Sequence, residues 1–81
     1  MNTEYLVSMA NDIGAFFASE AGAAEAPKSV ASHITRFWDP RMRREIIAHF
    51  TAHGGEGLSE IAHKAIALLA ERAAEAPTAS H

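Results

Sequence analysis

Apolar residues recur at three- and four-residue spacing in four stretches of the chain, and no stretch alternates as a half-buried strand does. The first stretch covers residues 3–20, and its apolar stripe consists of Leu6, Met9, Ile13, Phe16 and Phe17. Thr3 is the expected N-cap, and Glu4 follows at the positive end of the helix dipole. The pattern predicts an amphipathic helix with this stripe toward the core.

A second helix is predicted over residues 27–38, after a small-residue loop over 21–27. Pro27 suits its first turn, where the missing N–H has no helical partner to lose. The apolar side consists of Val30, Ile34, Phe37 and Trp38. The helix must end near Asp39, because a residue that precedes proline is disfavoured in the helical region.

The Asp39-Pro40 pair is the sharpest local signal in the chain. Asp39 is a good N-cap and proline is favoured at the first helical position, so a third helix is predicted over residues 40–53. Its inner face consists of Met42, Ile46, Ile47 and Phe50. The Gly54-Gly55 pair supplies the left-handed conformation that commonly ends a helix.

A fourth helix is predicted from the N-cap Ser59 to Ala74. Its expected buried residues are Ile61, Ala65, Ile66, Leu68 and Leu69. The fold class is therefore all-α, a compact domain of four short helices over residues 1–76, with a flexible tail over 77–81. The Asp39-Pro40 junction is too short for helices two and three to lie antiparallel, so they should meet at a steep corner.

Composition limits what so small a domain can do. With 81 residues the chain buries only about 60% of the surface that its unfolded form exposes, and stability is marginal without support. It has no cysteine, so disulfides, iron–sulfur ligation and a thiol nucleophile are excluded. A partner surface is the support that remains. The net charge of −3, the short apolar runs and the missing signal peptide predict a cytoplasmic protein without a membrane partner.

Candidate chemistry of the chain's own is sparse. His49 and His53 stand four residues apart on one predicted helix, and His63 is a conceivable third metal ligand. The alternative is that His49 and His53 flank the apolar stripe and interact with the carbonyl end of their helix. No nucleophile or acid–base pair stands out, so we expect no metal, no catalytic residue and no enzyme activity in this chain.

The basic cluster carries more information, because four of the seven Lys and Arg residues lie within residues 36–44. One interpretation is phosphate contact by a degenerate helix-turn-helix, although the net acidity of the chain makes nucleic acid an improbable partner. The other is a protein interface, where arginine beside Trp, Phe and Met is typical of hot spots. The predicted partner-binding residues are Arg36, Phe37, Trp38, Asp39, Pro40, Arg41, Met42, Arg43 and Arg44.

Arg43 occupies an unusual position on the third helix. A helical wheel places it between Ile47 and Phe50, inside the apolar arc. An arginine there needs a carboxylate or backbone carbonyl partner, within the fold or on another chain, unless its side chain simply reaches the rim.

Residues 33–43, HITRFWDPRMR, resemble the central motif of the delta subunit of NAD-dependent, molybdenum-containing formate dehydrogenases. The N-terminal LVSMANDI of residues 6–13, with Phe16 and Phe17 after it, is also similar to that family. The resemblance spans Leu6 to Leu69, and RFWDPRM is its most specific part.

The resemblance implies an accessory role in a cytoplasmic enzyme complex that oxidises formate to carbon dioxide and reduces NAD. The family's delta subunit carries no cofactor; molybdopterin, iron–sulfur clusters, FMN and NAD would belong to the larger subunits. It implies docking on those subunits, with the molybdenum-containing alpha subunit the expected contact, and help with assembly, molybdenum-cofactor insertion or stability.

Three functional hypotheses follow for the residues 36–44. The first is the accessory subunit, the second a small nucleic-acid-binding regulator, and the third a factor that holds the pterin cofactor with arginines on its phosphates. Isolated chains are also expected to pair with themselves through any partner-facing apolar surface. The exposure of Trp38 separates a core role from an interface role at the corner.

Overall fold

Four α-helices make up the computed structural model, which describes residues 2–75. They are α1 (Thr3–Ala21), α2 (Ala26–Phe37), α3 (Pro40–His53) and α4 (Glu60–Glu75). No strand occurs in this range. The all-α, four-helix prediction is confirmed, and each predicted helix boundary lies within one residue of the observed one. The predicted tail, 77–81, lies outside the described residues.

Short-range capping signals account for most of these boundaries. The Asp39 carboxylate accepts a hydrogen bond from the Met42 amide at 2.9 Å, and the Ser59 hydroxyl accepts one from the Ala62 amide at 3.2 Å. Gly54 ends α3 in the left-handed conformation, with φ of 68°. These three predictions are confirmed.

The prediction of Thr3 as the first N-cap is wrong. Asn2 has the extended backbone of a cap, and its side-chain oxygen accepts a hydrogen bond from the Glu4 amide at 2.8 Å. Thr3 is already the first helical residue. Asparagine caps at least as well as threonine, so the helix begins at the earlier of two suitable residues.

The core is aliphatic and contains one aromatic residue, Trp38. It consists of Leu6, Ala10, Val30, Ala31, Ile34, Trp38, Ile46, Ala62, Ala65, Ile66 and Leu69. In α1 the fully buried positions are Leu6, Ala10 and Gly14, four residues apart. A Cβ on Gly14 would lie 3.4 Å from the Ile61 Cγ2 atom, so the missing side chain lets α1 approach α4 closely.

The expected core stripe of α1 is therefore only partly correct. Met9, Ile13 and Phe17 pack against the core from its edge, whereas Phe16 is 58% exposed. Phe37, also predicted on an inner side, is 69% exposed. The close approach at Gly14 turns the row of Leu6, Ala10 and Gly14 inward and leaves the other apolar side chains of the predicted stripe at the flank.

The helices joined at Asp39-Pro40 do not pack side by side. α1 and α4 each pack against both α2 and α3, whereas α2 and α3 scarcely contact each other. The corner between α2 and α3 is therefore held by packing of both helices against α1 and α4 rather than by their mutual packing. Within residues 2–75, no helix combines the length and the apolar character needed to cross a membrane.

Candidate interaction surface

An aromatic strip crosses from α1 to the end of α2. It consists of Phe16, Phe17, His33 and Phe37. The ring centroids of Phe17 and His33 lie 6.0 Å apart, and those of His33 and Phe37 lie 4.7 Å apart. Phe16 and Phe37 are exposed, and Phe17 and His33 between them are half-buried. Single exposed apolar residues are normal on a protein surface, but adjoining aromatic rings that reach it together indicate an interaction site.

Two shallow grooves border this strip and share His33 and Phe37. The corner groove lies where α1, α2 and α3 meet, and its lining is Met9, Asp12, Ile13, His33, Phe37, Trp38 and Met42. The helix-two groove runs along α2, and its lining is Phe17, Lys28, Ser29, Ser32, His33, Arg36 and Phe37. Both open to solvent, so they suit a protein surface better than an enclosed small molecule.

The predicted partner-binding residues do not form one patch. Arg36 and Phe37 line the helix-two groove, while Trp38 and Met42 line the corner groove. Arg41 and Arg44 instead border a third groove, which also contains Thr3, Glu45, His49 and His53. Asp39 and Pro40 are exposed at the junction between these regions.

Trp38 belongs to the core, since only 4% of its surface is exposed. Its edge reaches the corner groove, but most of the ring packs inside the fold. Trp38 therefore packs inside the fold at the corner between α2 and α3, and the neighbouring Phe37 is the aromatic side chain exposed to solvent.

Arg43 connects the two sides of the corner. Its guanidinium donates to the backbone carbonyl of Thr35 at 3.2 Å and also to the carbonyl of Trp38. These carbonyls belong to the last turn and C-cap of α2, where helical partners are missing. The predicted need of Arg43 for a carbonyl partner is confirmed within the fold.

The remaining cations of the cluster face solvent, and none of them pairs with a carboxylate of the described residues. Over residues 2–75 the one ion pair joins Lys64 to Glu60, at 3.4 Å on α4. Arg36, Arg41 and Arg44 are exposed and make no ion pair in that range. Their charges are available to a partner molecule.

The sequence pattern assigned Met9, Ile13, Phe16 and Phe17 to the core; Met9, Ile13 and Phe17 are half-buried against it, whereas Phe16 is exposed. The signal that would have corrected this is the spacing of Leu6, Ala10 and Gly14. The small residues Ala10 and Gly14, four apart, allow close helix contact, and the second apolar row beside them is then left at the edge of the core.

The histidines do not converge on a common point. The rings of His49 and His53 are 5.7 Å apart, but Nε2 of His49 lies 2.8 Å from the Glu56 carbonyl. Nε2 of His63 lies 3.1 Å from the Gly54 carbonyl, and its ring packs on Phe50. In the part of the chain that the structure describes, no three His, Cys, Asp or Glu residues are grouped to hold a metal.

The profile of the NADH-dependent formate dehydrogenase delta subunit FdsD matches residues 5–66. The chain belongs to this family. The matched region contains all of α2 and α3, the aromatic strip and the linings of both grooves that border it. The protein is therefore a subunit of a formate dehydrogenase complex, and its partners include other subunits. Neither the curated proteins nor the solved structures yielded a significant match.

Proposed function

We propose that this delta subunit is a non-catalytic accessory chain that docks on the larger subunits through its aromatic strip. The observation that carries the proposal is the exposure of Phe37, 69%, directly beside the buried Trp38. An aromatic ring presented on a rigid support loses little conformational entropy on binding, and such residues are enriched among interface hot spots.

Phe37 is well placed for this role because the residues around it are held in place by the fold. Trp38 anchors the chain in the core, and Arg43 fastens the end of α2 to α3. On the other side, His33 packs between Phe37 and Phe17. Docking would therefore bury a preformed surface rather than order a flexible one.

That this chain contributes no catalytic group is part of the same proposal. Among the described residues no polar or charged side chain is buried, and the grooves that border the strip are open to water. A catalytic site needs oriented groups from which water is excluded. The molybdopterin, iron–sulfur, FMN and NAD sites are accordingly assigned to the larger subunits, with the molybdenum-containing alpha subunit as the docking partner.

The accessory role is proposed to aid assembly, molybdenum-cofactor insertion or stability of the complex in the cytoplasm. Co-expression of this chain with a tagged alpha subunit and the other larger subunits tests it. Wild-type delta subunit should co-purify, and Phe37→Ala should reduce the recovered delta subunit at least several-fold, since hot-spot truncations cost about 2 kcal/mol or more. Tyr5→Ala is the matched control, because Tyr5 is 59% exposed and lines neither groove.

The same preparation separates an accessory from a catalytic role. Complex made without the delta subunit should contain less molybdenum or dissociate sooner, but its turnover per bound molybdenum should equal that of the full complex. A turnover per molybdenum that falls to background without the delta subunit would overturn the non-catalytic assignment. Failure of the wild-type chain to co-purify would overturn the docking role.

Nucleic-acid binding is the weaker candidate, because the arginines of residues 36–44 are divided. Arg41 and Arg44 border a groove with Glu45, Arg36 lines another, and Arg43 is occupied by backbone carbonyls. No continuous basic surface of the kind that follows a phosphate backbone results. A low-salt gel shift with duplex DNA and RNA should therefore show no retarded band.

A further inference from the structure

We infer that the helix-two groove receives an amphipathic helix of a larger subunit, one with an apolar anchor between acidic residues. This inference rests on the proposed docking function and specifies the chemistry of its partner. The groove combines aromatic rings at its centre with a cation toward each end, and its lining contains no carboxylate. In a chain with a net charge of −3, such a local excess of positive charge is unexpected without a partner of opposite sign.

The spacing of the two cations sets the geometry of the occupant. Lys28 and Arg36 are eight residues apart on α2, which corresponds to roughly 12 Å along the helix axis. Neither makes an ion pair within residues 2–75. A partner helix with carboxylates seven or eight residues apart would reach both cations from one face.

The surface between the cations is shaped to accept a helix. Ser29, His33 and Phe37 form one row at four-residue spacing, and Lys28, Ser32 and Arg36 form the parallel row. Rows at this spacing are the ridges that pack into the grooves of a second helix. The small side chains of Ser29 and Ser32 permit close approach, and the rings of His33 and Phe37 meet the apolar anchor.

The corner groove is the less suitable place for an acidic segment. It carries a carboxylate of its own, Asp12, and its lining contains no lysine or arginine. The third groove contains Arg41 and Arg44 but also Glu45, and no aromatic side chain other than the imidazoles. The helix-two groove alone among these three joins an uncompensated pair of cations to aromatic rings.

Charge reversal tests the inference in the assembled enzyme. Titration of labelled delta subunit into complex that lacks it gives a Kd, and Lys28→Glu and Arg36→Glu should each weaken binding about tenfold, the double variant more. Higher salt should weaken wild-type binding and affect the double variant less. Lys64→Glu is the matched control, since Lys64 is exposed on α4 in a different groove.

Crosslinking identifies the occupant directly. The chain has no cysteine, so a single cysteine introduced by Ser32→Cys can be labelled with benzophenone maleimide in the groove. The Glu71→Cys variant, labelled in the same way at an exposed position on α4, is the control. We expect the Ser32→Cys label to join an acidic, amphipathic helical segment of a larger subunit. A crosslink to an acid-poor loop, to a second delta subunit or to nucleic acid would overturn the inference.

The outcomes also separate this inference from the proposed function. If wild-type delta subunit binds and the double charge-reversal variant binds equally well, docking stands and the acidic helix is wrong. If wild-type delta subunit does not bind the complex, the docking role itself fails.

Discussion

The guanidinium of Arg43 on α3 donates to the backbone carbonyl of Trp38, the C-cap residue of α2. A second hydrogen bond, to the Thr35 carbonyl at 3.2 Å, uses the same terminal nitrogen. Because α2 and α3 scarcely pack against each other, this side chain is a principal connection across the corner. It also satisfies carbonyls that the helix end leaves without helical partners.

Replacement of Arg43 should therefore destabilise the fold although the residue is charged and only half-buried. We expect Arg43→Ala to lower the free energy of unfolding by about 1–2 kcal/mol, because hydrogen bonds that involve a charged group contribute about 1.5–3 kcal/mol and solvent near this site reduces that contribution. Arg44→Ala, at the exposed neighbouring position, should change it by less than about 0.5 kcal/mol. Urea denaturation followed by circular dichroism measures both, and equal effects would contradict the role assigned to Arg43.

Trp38 and Phe37 provide a second test, because adjacent aromatic residues have opposite surroundings. Trp38→Ala removes a core side chain and should cost about 3–5 kcal/mol, enough to unfold so small a domain or leave it barely folded. Phe37→Ala removes an exposed ring and should cost little stability while weakening association with the larger subunits. Denaturation curves paired with co-purification yields check this, and a Trp38→Ala protein as stable as the wild type would place the ring outside the core.

The helix boundaries could be predicted from the sequence, because each depends on a few neighbouring residues. Asp39 and Ser59 each accept a hydrogen bond from a backbone amide three residues away, and Gly54 acts through its own left-handed backbone, so these roles are visible in the sequence. The partner of Arg43 was also predictable as a type, because a charge inside an apolar arc needs an acceptor. Which acceptor it found depended on the fold.

The surface was harder to predict because it depends on which of two apolar rows faces inward. In α1 both rows are compatible with a helix, and the choice is made by contact between Gly14 and Ile61 on α4. The arginines were grouped by their proximity in sequence, but the corner separates Arg36 from Arg41 in space. Both errors arise from tertiary packing, which a single helical wheel does not contain.

Asn11 fastens the loop between α3 and α4 to α1, and its removal should loosen that loop. Its amide nitrogen donates to the Gly57 carbonyl at 3.0 Å, and its oxygen accepts from the Ser59 amide at 2.8 Å. We expect Asn11→Ala to cost about 1–2 kcal/mol, as the loss of two hydrogen bonds suggests. Asn11→Asp should be more stable than Asn11→Ala but less stable than the wild type, since a carboxylate accepts a hydrogen bond from the Ser59 amide but cannot donate one to the Gly57 carbonyl.

Amide hydrogen exchange distinguishes this local role from a general loss of stability. Faster exchange in Asn11→Ala should be concentrated at residues 55–59, with the amides of α2 changed only as much as global stability requires. Asp12→Ala, at the exposed next position on α1, is the control and should leave the loop amides unchanged. Uniformly faster exchange in every helix would contradict the loop-fastening role.

Alanine substitutions at Gly54 and at Gly55 distinguish the cost of backbone strain from the cost of side-chain crowding. Both residues have positive φ, 68° and 72°, so alanine is strained by about 1–2 kcal/mol at either position. A Cβ on Gly54 would meet nothing within 4 Å, whereas one on Gly55 would lie 3.0 Å from both the His63 ring and Leu58. We therefore expect Gly54→Ala to cost about 1 kcal/mol and Gly55→Ala at least about 1 kcal/mol more, because the overpacking adds to the strain.

Denaturant titration of the two alanine variants gives the difference directly, and Gly54→Asn serves as the control. Asparagine tolerates the left-handed conformation better than alanine, so Gly54→Asn should be more stable than Gly54→Ala. Since His63 packs on Phe50 over this turn, Gly55→Ala should also shift the ring resonances of both residues, whereas Gly54→Ala should not. Equal stabilities for the Gly54→Ala and Gly55→Ala proteins would mean that His63 and Leu58 move aside freely, and that backbone conformation alone selects glycine here.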